Sequence, residues 1–270
     1  MYPVLFKIGP FSVYGYGLML ALGFIIGSYL ATIEFRRRGL DPNYASNITL
    51  IALVAGIIGS KIHYLIENFS LFIADPIDMT FSPGGLTFFG GFLLAVVAIY
   101  YYGKVKKLRF LEVADALSPS VMIAYGIARV GCHLAGDGDY GFPTTLPWGV
   151  DYSKGTFPPS LILKDFCHIA QQYPNGIPDN IPLHPTPIYE FLICGVFFFV
   201  LWRFRKTLAP NGKLFTMYLM LAGIERFSIE FLRLNTRIFL GLTQAQIISL
   251  IIIVAGVWSW HRFSKGVNTT

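Results

Sequence analysis

What this sequence has least of is charge. Asp, Glu, Lys and Arg make up 13% of its 270 residues, against 54% hydrophobic residues, and the mean hydropathy is +0.57. That is about half the charge of an ordinary soluble domain, which excludes the water-soluble globular class and points to an all-α integral membrane protein. Cysteine is scarce too. Cys132, Cys167 and Cys194 form neither a metal-ligand spacing nor an even-numbered disulfide framework, so no metal, cofactor or structural disulfide is expected. No basic segment precedes the first apolar run, and the charge follows it, an order that argues against a cleaved signal peptide. No nucleophile motif of a protease is present. Neither internal repeats nor hydrophobic segments broken near their centres appear, which ranks a lipid or solute transporter well below an enzyme.

What is present is a series of apolar runs near the ~20 residues that a span requires. They fall at about 14–34, 45–66, 85–103, 115–135, 187–205, 213–232 and 242–261, giving seven transmembrane helices and termini on opposite sides. Basic residues settle the orientation. Arg36, Arg37 and Arg38, then Lys104, Lys106, Lys107 and Arg109, then Arg203, Arg205, Lys206 and Lys213, and finally Arg262 and Lys265 lie on alternate connections. The positive-inside rule places those connections and the C-terminus in the cytosol and the N-terminus outside. The net charge of +6 reflects anchors facing anionic lipid, not a nucleic-acid partner. Residues 1–13 read as an amphipathic lead-in at the outer interface. The loop before the third run is punctuated by Asp75-Pro76 and Ser82-Pro83-Gly84-Gly85. Residues 137–185, rich in Pro, Gly and aromatics, form the one long external segment. They are expected to fold as a small head or lid within a single transmembrane domain spanning residues 1–270.

Ionisable groups at membrane depth are costly and mark functional sites by default. The stretch Gly126-Ile-Ala-Arg-Val-Gly-Cys-His-Leu-Ala-Gly-Asp-Gly-Asp-Tyr-Gly141 carries Arg129, His133, Asp137 and Asp139 at the end of the fourth run. With the orientation above, Tyr16, Lys61, His63, Thr87, Arg129, His133, Arg226 and Glu230 all fall in the outer half, as the lining of one polar chamber. Two arginines there suit a phosphate, which guanidinium grips in bidentate geometry. Blander readings compete: an interfacial aromatic belt for Tyr14 and Tyr16, snorkelling for Lys61, an interfacial hydrogen bond for His63, and a structural i, i+4 ion pair for Arg226 and Glu230. The glycine pairs Gly84-Gly85 and Gly90-Gly91 fit close approach of either a ligand or a helix.

Several blocks together resemble the prolipoprotein diacylglyceryl transferase family over nearly the whole chain. They are Tyr16-Gly-Leu-Met19, Gly84-Gly-Leu-Thr-Phe-Phe-Gly-Gly91, Arg129-Val-Gly131 with the Gly/Asp run after it, His184-Pro-Thr-Pro-Ile-Tyr-Glu190, and Glu225-Arg-Phe-Ser-Ile-Glu-Phe-Leu-Arg233. The resemblance implies seven spans, an external head, and a reaction at the outer face of the cytoplasmic (inner) membrane. There the diacylglyceryl group of phosphatidylglycerol passes to the lipobox cysteine of a prolipoprotein signal peptide, and glycerol phosphate is released. It also makes Arg129 and Arg226 the family's essential arginines, Tyr16 its lipid-site tyrosine and Glu230 its acidic residue one turn after the second arginine. Three departures accompany the match. Phe89 stands where the family has a histidine, Cys132 and Ala135 stand for two asparagines, and Asp137 or Asp139 represents a glutamate.

The chemistry so implied requires a thiolate to attack a glyceryl carbon while a phosphate leaves. The site must lower a thiol pKa that is ordinarily near 8.5 and stabilise the departing charge, for which Arg129 and Arg226 are the candidates. Lys61, His63, Asp137, Asp139, Tyr16 and Glu230 are the candidate substrate-binding residues. For the base, His133, His63 and His184 are available; His133, at i+4 from Arg129, is favoured, and His184 reads as structural. A paralogue using the same donor lipid with another acceptor is the alternative.

Overall fold

The computed structural model describes residues 1–9, 11–82 and 84–265. The chain opens on a hairpin of β1 (Val4–Ile8) and β2 (Phe11–Tyr14), paired antiparallel with Lys7 opposite Ser12. The amphipathic lead-in is therefore a hairpin, and Tyr14 closes it instead of opening a helix. Next come α1 (Gly15–Arg37) and α2 (Asn43–Glu67). The loop expected after α2 holds two short helices, α3 (Phe69–Ala74) and α4 (Pro76–Phe81). Asp75 starts α4 by accepting a hydrogen bond from the Asp78 N–H at 3.1 Å, with Pro76 in the first turn. Then follow α5 (Phe88–Val105) and α6 (Phe110–Ala135).

The segment after α6 contains β3 (Val150–Asp151), α7 (Pro159–Leu163), α8 (Cys167–Ala170) and β4 (Pro182–Leu183). It has an apolar core of its own: Tyr140, Tyr152, Leu163, Ile169, Ile181 and Leu183, joined by Leu234 from further along the chain. The helices α9 (Thr186–Phe204) and α10 (Lys213–Ile229), the hairpin β5 (Arg237–Phe239) and β6 (Leu242–Thr243), and α11 (Gln244–Lys265) complete it.

Among the described residues, six helices are long and apolar enough to cross a membrane: α1, α2, α5, α6, α9 and α11. The expected sixth run falls short because α10 ends at Ile229 with 17 residues, roughly 26 Å at 1.5 Å per residue, and carries Glu225 and Arg226. The protein is multi-pass, and its surface is that of a lipid-soluble chain. Phe88, Phe92, Phe199, Ile251 and Val254 are exposed, while Glu34, Asp115, Glu190, Glu225 and Glu230 are buried, the reverse of a soluble protein.

Two compact units divide the chain: Ser28–Ala116, and Met1–Gly27 with Leu117 onward. In the first, α2 packs along α5 through glycines. A Cβ on Gly91 would stand 2.7 Å from the Gly56 carbonyl oxygen, so the third-run glycines serve helix contact. The same unit ties Arg37 to buried Glu34 at 2.7 Å and Arg38 to buried Asp115 at 3.6 Å. In the other unit, α10 packs on both α9 and α11.

Candidate active site

The site is built where α6, α9 and α10 end or begin. Backbone hydrogen bonds fix the segment that follows α10 against the segment that follows α6. Phe142 N–H donates to the Leu232 carbonyl at 3.0 Å, Gly141 N–H to the His184 carbonyl at 2.9 Å and His184 N–H to the Phe142 carbonyl at 3.1 Å, and Gly141 is bridged to Arg233. This lacing delivers Asp139 and Arg233 to the ends of α6 and α10. The Thr186 hydroxyl, at the start of α9, donates to the Asp139 carbonyl at 2.5 Å. At Gly131, a Cβ would meet the Tyr16 backbone at 3.1 Å, so glycine lets α1 lie on α6 beside Arg129.

Three guanidiniums and three carboxylates alternate in a closed ring. Arg129 donates through Nε to Glu190 and through Nη1 to Asp139 at 2.6 Å. Asp139 also holds Arg233, and the Arg233 Nε lies 3.9 Å from Glu230. Glu230 takes Nη2 of Arg226 at 2.9 Å, and Arg226 Nη1 returns to Glu190 at 3.5 Å. Glu190 also reaches across to Arg233 at 3.6 Å. The formal charges cancel, as burial demands. Asn235 donates a further hydrogen bond to Glu230 at 2.7 Å. Arg226 is the most open of the arginines, its side chain 29% exposed against 12% for Arg129 and 10% for Arg233.

The family model for prolipoprotein diacylglyceryl transferase matches residues 3–262. The chain belongs to the prolipoprotein diacylglyceryl transferase family. Relatives named phosphatidylglycerol–prolipoprotein diacylglyceryl transferase occur in Clostridium tetani (34% identical, covering 98% of this chain and 100% of the relative) and Clostridioides difficile (31%; 97% and 95%). One in Halalkalibacterium halodurans is 33% identical over 98% of this chain and 88% of its own.

In this member of the transferase family, Arg129, Asp139, Arg226 and Glu230 come together in one network. The i, i+4 pair of Arg226 and Glu230 forms as the bland reading had it, but as one link of the ring. Two members of the ring, Glu190 and Arg233, escaped the sequence reading. A glutamate in the first two turns of an apolar run was the available signal, since such a charge is retained only with a partner. Arg233 continues the i, i+4, i+7 spacing that starts with Arg226 and Glu230, although α10 itself ends at Ile229.

Asp139 is pushed up by burial, but Arg129 and Arg233 outweigh that and hold it below the usual carboxylate range. Asp137, half-buried, is raised above that range by desolvation and by the neighbouring Asp139 charge. The Cys132, Asp137 and Asp139 donor atoms lie within 4.8 Å of one another, a spacing that would suit a metal ion. Arg129 Nη1 already reaches both Cys132 Sγ, at 3.4 Å, and Asp139, so a guanidinium supplies the positive charge there.

His133 takes a different partner. Its Nδ1 lies 2.9 Å from the Tyr152 hydroxyl, whose pKa burial pushes up, and the two rings meet edge to face. The residue on the Arg129 guanidinium is Cys132, at i+3. His184 Nδ1 lies 3.2 Å from the Tyr189 hydroxyl, which also accepts from Trp148 Nε1 at 2.8 Å; burial lowers the His184 pKa.

Tyr16 is exposed at the start of α1. Lys61 and His63 have their partners within the Ser28–Ala116 unit. Lys61 Nζ donates to the Ser82 and Gly84 carbonyls at 3.0 and 2.9 Å and lies 5.6 Å from the Tyr64 ring centroid, closing the loop before α5. His63 Nδ1 is 3.0 Å from the Thr87 hydroxyl and 3.5 Å from Glu67. Phe89, in the position of the family histidine, is exposed and stacks edge to face on Phe88.

Proposed function

We propose that this protein transfers the diacylglyceryl group of phosphatidylglycerol to the lipobox cysteine thiol of a prolipoprotein. The observation that supports the reading most is the arginine ring, in which Arg226 combines partial exposure with a loose 3.5 Å contact to Glu190. A headgroup phosphate competes for that guanidinium with a charge-assisted hydrogen bond. In this account α10 is a seventh span, the N-terminus is outside and the C-terminus cytosolic, and residues 137–185 form an external head that receives the acceptor peptide.

The thiol loses its proton, the thiolate attacks the glyceryl carbon bonded to the phosphate oxygen, a carbon–sulfur bond forms, and the carbon–oxygen bond breaks. The electron pair leaves with glycerol phosphate. Arg129 and Arg226 favour the thiolate and stabilise the charge on the leaving phosphate. His133 takes the thiol proton. Tyr16, Asp137, Asp139 and Glu230 shape the substrate site.

The test is complementation of a bacterial strain depleted of its own transferase. Growth restored with lipoprotein carrying diacylglyceryl cysteine supports the reading, and failure despite membrane expression contradicts it. Phe89 and Cys132, which replace family residues, favour one second reading: the same donor lipid with another acceptor. Mass spectrometry of the lipidated product separates the two.

A further inference from the structure

No step of the transfer falls to Glu190, yet it touches all three arginines of the ring. The geometry points to Glu190 as the positioning residue that orients the Arg129 and Arg226 guanidiniums toward the lipid phosphate, an inference that rests on the transferase reading above. Its side chain is wholly buried, and it sits in the second turn of α9, whose start is tied by Thr186 to Asp139. Such a carboxylate has little freedom, so what it grips is fixed in turn. Oε2 accepts from Arg129 Nε, which sets the plane of that guanidinium and directs Nη1 at Asp139 and Cys132. Oε1 faces Arg226 Nη1 at 3.5 Å and Arg233 Nη1 at 3.6 Å. Arg226 is thereby held from two sides, by Glu190 at one nitrogen and Glu230 at the other.

Charge balance alone would be served by a carboxylate at any reach, whereas positioning depends on length. Glu190→Asp keeps the charge but withdraws the carboxylate by about 1.5 Å, one carbon–carbon bond. Glu190→Gln keeps the length but removes the charge. A displacement near 1 Å at a reacting site costs on the order of 10²-fold in rate. Both variants are therefore expected to lose about 100-fold in kcat. KM for phosphatidylglycerol stays within about threefold, since neither change removes a guanidinium from the anion.

The experiment measures kcat and KM with phosphatidylglycerol in mixed detergent micelles and a synthetic lipobox peptide, with folding checked by size exclusion and thermal unfolding. A folded Glu190→Asp protein with kcat within twofold of wild type overturns the inference. So does a loss confined to KM, or a failure of both variants to fold, which would make Glu190 a structural residue only. If Glu190→Gln alone does not fold, Glu190→Asp decides. Wild-type protein that transfers nothing overturns the activity itself and this inference with it, whereas an active wild type beside fully active variants overturns the inference alone.

Discussion

Replacing Arg226 with alanine separates the phosphate role from a structural one, because it opens the ring but leaves each carboxylate at least one guanidinium partner. Without Arg226, Glu190 keeps Arg129 and, at 3.6 Å, Arg233, and Glu230 keeps Asn235 at 2.7 Å and Arg233 at 3.9 Å. The side chain is also 29% exposed, so no buried carboxylate is left without a cation. The folded protein is therefore expected to persist, unlike Arg129→Ala, which would strip the nearest guanidinium from a buried Glu190. What Arg226→Ala removes is a charge-assisted hydrogen bond to the phosphate, worth about 1.5–3 kcal/mol. If that bond strengthens as the phosphate leaves, kcat/KM falls roughly 10- to 150-fold. The assay is transfer from phosphatidylglycerol to a lipobox peptide by protein whose thermal unfolding matches wild type. Folded Arg226→Ala with kcat/KM within twofold of wild type would refute the phosphate assignment.

Arg226→Lys is expected to be impaired as well, because one ammonium cannot bridge Glu190 and Glu230 while also meeting a phosphate; the same assay checks it. His133→Ala should lower the rate by ~10²–10⁴-fold if the imidazole is the base and remove one limb of the pH–rate profile, whereas an unchanged rate and profile would remove His133 from the mechanism. Tyr152→Phe breaks the 2.9 Å contact to His133, and Trp148→Ala frees Tyr189 from the head. Both should raise KM for the peptide more than for phosphatidylglycerol, and equal losses would argue against an acceptor-binding head. Asp139 has a depressed pKa in the folded protein, so its stabilising contribution is complete above the unfolded value of about 3.9 and is lost as pH falls through the folded value. The unfolding temperatures of wild type and Asp139→Asn should differ by a constant amount above about pH 4 and converge below it; a gap that persists into stronger acid would contradict the Asp139 ion pairs.

The helical spans were legible because lipid demands long apolar runs, and α1, α2, α6 and α9 fall within a few residues of the runs read for them. Exceptions arose where tertiary contact overrides composition. The hairpin at residues 4–14 pairs short alternating segments, too few residues for a periodic signal, and α3 and α4 occupy a stretch marked only by turn residues. Span six was read to residue 232, but Leu232 and Arg233 leave the helix to pair with Phe142 and Gly141, a long-range choice invisible locally. Arg129 and Arg226 stood out as charges in apolar runs. Their carboxylate partners come from separate segments, Glu190 in α9 and Asp139 after α6, and no spacing rule joins residues 61 positions apart. The preference for His133 followed from helical spacing, but the i+3 neighbour Cys132 is the one that meets Arg129, while the imidazole is engaged by Tyr152 across the chain.

The most direct test of the transferase account is reconstitution of the purified protein in phosphatidylglycerol vesicles with a lipobox peptide, read by mass spectrometry. The expected result is a peptide whose cysteine carries a thioether-linked diacylglyceryl group, with one glycerol phosphate released per adduct and none formed when phosphatidylethanolamine replaces phosphatidylglycerol. Movement of lipid between leaflets without any covalent adduct, or no adduct from folded protein, would contradict it.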